Sequence, residues 1–259
     1  MINLLNQPGD GFRDPEISPE GPKETAPLPE DVAKQNALLV DEWADKLYDA
    51  TAADILEWAH EHAPGKLVVT LSMENTVLAE LANRHLPDAD FLFLDTEYHF
   101  PETLEVADQV EARYPNHTLV RATAQLSRPE QDKVYGPNLY LRNPGACCRM
   151  RKVEPLAVHM SPYAGWITGL RRADGPTRAE APALSLDNTG RLKISPLVTW
   201  SLEETEAFER DNDLIIHPLT RQGYPSIGCA TCTLPVAEGE DPRAGRWAFA
   251  SKTECGLHE

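Results

Sequence analysis

The strongest constraint on the fold is a series of short apolar runs, each ending in a polar turn and followed by residues of helical period. Lys66 to Ser72 reads as a buried strand, and Met73 to Thr76 turns from it into a helix bearing Val77, Leu78, Leu81 and Ala82. Asp90 to Asp95 repeats the pattern, leading through Thr96 to Pro101 into a helix bearing Leu104, Val106 and Val110. Thr118 to Val120 and Ala164 to Leu170 read as two further strands. Strands that alternate with helices imply a parallel sheet joined by right-handed crossovers. The expected class is therefore α/β, a single domain with a mainly parallel sheet flanked by helices. Ligands of such sheets sit beyond the carboxyl ends of the strands. Four polar turns fall there: Ser72 to Thr76, Asp95 to Glu97, the segment after Val120, and Gly169 to Arg172. The first puts a hydroxyl and backbone N–H groups at a helix start, which suits phosphate, although Ser72 and Thr76 would serve equally as helix caps.

The flanks differ from this middle. Residues 1–35 are rich in Pro, Glu and Gly, bury too little apolar surface to offset ordering entropy, and read as a disordered tail. Leu38, Leu39, Trp43 and Leu47 then recur at helical spacing, and Thr51 opens a second helix that Pro64 and Gly65 end. Residues 184–194 alternate around a turn as a hairpin, and Ser201 to Glu204 is a capping box for a helix through about Asn212. Beyond Pro235 the composition turns polar. The expected division is a tail at 1–35, an α/β domain at 36–235 and a mobile C-terminal arm at 236–259.

Charge narrows the function. A net charge of −17 argues against a nucleic-acid surface, which needs clustered cations. No apolar run approaches membrane-spanning length, and the first residues lack a signal peptide's basic flank and apolar core, so a cytoplasmic protein is expected. An anionic substrate would need arginines gathered locally against the overall field. Three such clusters exist: Arg149, Arg151 and Lys152; Arg171, Arg172 and Arg178; and Arg243 with Arg246. Singly each reads as a surface charge, but arginine forks match sulfate and phosphate oxygens, and these border cysteines or strand ends.

Five cysteines in a reducing compartment point to metal or redox chemistry rather than a disulfide framework. Cys147 and Cys148 are adjacent, whereas Cys229 and Cys232 are spaced to share a metal or cluster. Adjacent residues on a helix project about 100° apart. That suits the separate corners of a [4Fe–4S] cube better than one tetrahedral zinc, which remains an alternative, as does a thioredoxin-type redox pair. The fifth, Cys255, stands alone beside Gly256 near the C-terminus, where Lys252 and His258 can favour the thiolate.

Together these segments resemble the assimilatory adenylyl-sulfate reductases, within the wider phosphoadenylyl-sulfate reductase family. The resemblance rests on Cys147 to Lys152, Gly228 to Thr233, Arg243 to Trp247 and Lys252 to His258, with Leu94 to Thr96 and Gly169 to Arg172 in support. It covers roughly residues 36–259 and implies an adenine nucleotide alpha hydrolase-like fold. It also implies reduction of adenosine 5′-phosphosulfate to sulfite and AMP. In that reading Cys255 attacks the sulfur to give an S-sulfocysteine, and thioredoxin releases sulfite. Cys147, Cys148, Cys229 and Cys232 would hold a [4Fe–4S] cluster that shapes the site's electrostatics without passing electrons. Lys152 would stand between cluster and substrate, Arg171, Arg243 and Arg246 would grip phosphate and sulfate, Ser72 would mark the phosphate loop, and His258 would close the tail over the site. The loop at Ser72 to Thr76 departs from the family's fuller pyrophosphatase-type loop in lacking its glycine, so ATP cleavage is not expected. The rival readings are a reductase of the 3′-phosphorylated nucleotide and a non-catalytic iron–sulfur or zinc protein. Homo-oligomerisation is left open.

Overall fold

The computed structural model describes residues 27–237 and 239–250. Helix α1, Glu30–Leu47, starts inside the stretch expected to be tail. What holds it is Asn36, fully buried, whose Nδ2 donates to the carbonyls of Ala164 and Gly190, both at 2.9 Å. Thr51 caps α2, Ala52–His62, by accepting the Asp54 N–H.

Six strands follow as one sheet: β1 Leu67–Leu71, β2 Asp90–Asp95, β3 Leu119–Thr123, β4 Gly165–Ile167, β5 Leu184–Leu186 and β6 Leu192–Ile194. Their order is β3-β2-β1-β4-β6-β5, parallel throughout except for the expected hairpin of β5 and β6. Central β1 is covered on both faces. Val69 packs into the main core with Ile55, Phe91 and Ile167, while Val68 joins Leu92, Ala122 and Trp166 on the other side. Burial on both faces explains why β1 reads as a nearly unbroken apolar run.

Helices α3, Val77–His85, and α4, Pro101–Arg113, follow β1 and β2. After β3 come α5, Arg128–Tyr135, and α6, Leu139–Arg142. A further helix then runs from α7, Pro144–Cys148, through a π-helical turn at Arg149–Val153 into α8, Glu154–His159. The widened turn has a cause in sequence. Pro155 has no N–H to offer the Arg151 carbonyl and its ring crowds that group, so the regular ladder cannot continue. The helix α9, Leu202–Asp211, has the expected capping box, with Ser201 accepting the Glu204 N–H.

Strand order reverses between β1 and β4, so their carboxyl ends open a crevice. The described part of the C-terminal segment does not stand apart from the domain. Leu234 N donates to Gly245 O and Trp247 N to Cys232 O, and Trp247 is buried. Among the described residues no helix is long and apolar enough to cross a membrane.

Candidate active site

The crevice deepens into a cavity of about 450 Å³. Two of the four expected turns line it: the loop after β1 through Ser72, Glu74 and Asn75, and the segment after β4 through Gly169, Leu170 and Arg171. Strand β2 contributes Leu94 and the loop beyond it His99, but none of Asp95 to Glu97 does, which corrects that expectation. The segment after β3 contributes nothing, so the expectation for that turn is corrected. The loop after β1 holds Met73 in the left-handed region, φ 63°, where a glycine would sit without strain. Met73 accepts a penalty of about 1–2 kcal/mol there and buries its side chain completely in the main core.

Ser72, Lys152, Arg171, Arg243 and Arg246 all reach this cavity, together with Arg178. The cationic clusters are not used whole. Arg149 pairs with Glu154 at 2.7 Å. Arg151 is buried, donating to Glu97 at 2.9 Å and to Gln131 at 2.8 Å. Arg172 turns away to Asp49 and the Tyr48 carbonyl, both at 2.7 Å. Arg171 lines the cavity with its fork already engaged. Nε and NH2 reach Asp174 Oδ1 at 2.9 and 2.8 Å, and NH1 donates to Thr205 Oγ1 at 2.8 Å. Arg178 NH1 reaches the other Asp174 oxygen at 3.2 Å.

A second, smaller space adjoins the first and is lined by Cys147, Cys148, Cys229 and Cys232. Lys152, Arg246 and Trp247 border both spaces. The C-terminal end of α7 presents the first cysteine pair, and a 3₁₀ turn at Ala230–Cys232 presents the second. Thr96 Oγ1 lies 3.3 Å from Cys229 Sγ, and Ala230 N donates to Tyr98 O, which ties this turn to the loop after β2. Gly228 leaves room for a cation: a Cβ there would stand 2.7 Å from Arg246 Cζ. Arg246 lies over the Trp247 ring and donates to Ser226 Oγ at 3.1 Å.

No disulfide joins any two of the four cysteines. Burial, reinforced by its cysteine neighbours, pushes the Cys147 thiol up to about 12. Burial likewise pushes Cys232 to about 11. Holding these two as thiolates therefore requires a cationic group to take their charge. Among the described residues no three His, Cys, Asp or Glu side chains form a group that could hold a metal ion. Four cysteines round one space are the donor type that the corners of an iron–sulfur cube take.

The family model described as the phosphoadenosine phosphosulfate reductase domain matches residues 66–235. The chain belongs to that family. Within the phosphoadenosine phosphosulfate reductase family, it is 48% identical over 221 residues to an adenosine 5′-phosphosulfate reductase of Mycolicibacterium smegmatis, covering 85% of this chain and 93% of that one. It is 46% identical over 235 residues to the enzyme of the same name from Streptomyces coelicolor, covering 90% and 99%. A crystal structure of phosphoadenylyl-sulfate reductase from Candida auris, in a phosphate complex, superposes with a TM-score of 0.63 at 25% identity, covering 83% and 100%.

Several cavity residues were not singled out in the sequence. Glu74 lies in the loop after β1, accepts the Ile227 N–H at 2.9 Å, and has its carboxyl pushed up by burial, against the pull of that bond and of Arg246 and Arg171. Burial holds the His99 imidazole below its usual range; its Nε2 sits 2.9 Å from the Leu94 carbonyl. Asp174 and Trp247 complete the set. Glu74, His99 and Trp247 each lie in or beside a motif already noted, so proximity was the one available signal. Cys255 and His258 lie outside the described residues.

Proposed function

We propose that this chain reduces adenosine 5′-phosphosulfate to sulfite and AMP, with Cys255 as nucleophile and thioredoxin as electron donor. One observation carries the reading: a cation-lined cavity at the sheet's switch point shares Lys152, Arg246 and Trp247 with a four-cysteine space. The matching relatives called adenosine 5′-phosphosulfate reductase support the substrate.

The chemistry follows from charge. The Cys255 thiolate attacks the sulfate sulfur, a new S–S bond forms, and the S–O bond to phosphate breaks with its electron pair leaving on AMP. Lys152, Arg243 and Arg246 offset the negative charge gathered between thiolate and phosphosulfate. Ser72 presents its hydroxyl at the cavity, and His258 closes the tail over the site. One thiolate of thioredoxin then attacks Cys255 Sγ and expels sulfite with the electron pair. Its second thiol resolves the mixed disulfide, so the two electrons come from the thioredoxin dithiol. Cys147, Cys148, Cys229 and Cys232 would hold a [4Fe–4S] cluster, which when bound supplies electrostatic organisation of the site. A reducing cytoplasm is the compartment in which such thiols persist.

Cys255→Ser is expected to abolish sulfite release, a loss of at least about a thousandfold, while iron content stays at the wild-type level. Wild type incubated with the nucleotide and no thioredoxin should gain one SO₃ on Cys255 by mass spectrometry. An adduct on another residue, or turnover by the serine variant, would sink the assignment.

A further inference from the structure

Five cations line the cavity, and one carboxylate engages two of them. Asp174 is held between Arg171 and Arg178, each of its oxygens reaching a different guanidinium. It also accepts the Arg171 backbone N–H at 3.1 Å, so its position is set by the chain as well as by charge. Thr205 takes the remaining side of the Arg171 fork. Lys152 and Arg246, by contrast, also border the four-cysteine space. None of Asp174, Arg171 or Arg178 lines that second space.

We propose that Asp174 is a specificity-determining residue: by pairing Arg171 and Arg178 it limits the cavity's positive charge to what a phosphosulfate requires, and so excludes a nucleotide bearing an additional 3′-phosphate. The inference rests on the reading above that the ligand is an adenosine phosphosulfate. A phosphosulfate carries two negative charges at neutral pH, and a 3′-phosphate monoester adds about 1.5–2 more. In a partly desolvated cavity such added charge needs cations to meet it, and a fixed carboxylate repels it directly. Asp174 is thus the carboxylate that the structure sets directly against two of the five cations.

The test compares binding of AMP and adenosine 3′,5′-bisphosphate by calorimetry to the full-length, iron-loaded protein. Neither ligand can react, so binding is read apart from turnover. Wild type should prefer AMP by about tenfold or more. In Asp174→Asn, which keeps the acceptor for the Arg171 N–H, that preference should shrink at least about tenfold, the size expected when one of several close charges is removed. A folded Asp174→Asn that keeps the wild-type preference would overturn the proposal. So would equal affinity of wild type for the two nucleotides, a result that needs no variant to fold. If wild type bound neither nucleotide, the proposed function itself would fall.

Discussion

Glu74 shows what a single side chain costs at this site. Its carboxyl is raised above the ordinary value by burial, so the folded state holds a proton that the unfolded chain releases. Stability from this group is then greatest below the usual carboxylate range and falls as pH rises towards the folded value. Glu74→Gln keeps an acceptor for Ile227 N–H and cannot ionise. It should melt about 2–4 °C above wild type at pH 8, a change of about 1 kcal/mol in a domain of this size, with the gap narrowing towards pH 5. A gap that widens on acidification would mean the carboxylate is stabilised where it lies. Individual residues were also where sequence reading reached its limit. Arg171 and Arg172 are neighbours with the same side chain, yet one lines the cavity and the other reaches Asp49. Arg151 and Lys152 divide in the same way, because Glu97 and Gln131 claim the first. Such choices depend on partners far along the chain, which local pattern does not encode.

Strands and helices were more legible, because their periods are local. The runs at β1 and β2, the hairpin of β5 and β6 and the capping box of α9 each appear where alternation or capping chemistry placed them. The expected strand at Ala164 to Leu170 is shorter in the structure, three residues from Gly165 to Ile167. Gly165 pairs with Leu67 on one side and Leu192 on the other. A Cβ on it would stand 2.7 Å from Leu192 Cβ and 2.9 Å from the Leu192 carbonyl. Gly165→Ala should therefore destabilise the protein by about 1–3 kcal/mol through overpacking, read as a lower midpoint in chemical denaturation. An unchanged midpoint would mean the two strands part without cost. The start of α1, inside the expected tail, escaped prediction for a physical reason. Polar, Pro-rich sequence reads as loose, yet the residues from Glu30 to Gln35 begin a helix whose next residue, Asn36, is pinned by distant chain.

At the scale of the molecule, the cavity proposed to take the nucleotide and the cysteine space share a wall of Lys152, Arg246 and Trp247. Two sites that share a wall should be coupled, and coupling between binding events is reciprocal. Saturating AMP is expected to slow extraction of iron by a chelator several-fold, about 1 kcal/mol of coupling. Iron-depleted protein should bind AMP more weakly by calorimetry. Iron loss indifferent to AMP, with AMP affinity indifferent to iron, would mean the wall transmits nothing.

The π-helical turn at Arg149–Val153 gives that wall its geometry. Cys147 and Cys148 belong to the rod before the turn, and Leu156, which also faces the nucleotide cavity, to the rod after it. An extra residue in one turn resets the azimuth of everything downstream by about 100°. The two halves thus act like sections of a camshaft keyed at a fixed offset, and their timing is held by a proline rather than by any contact with a ligand.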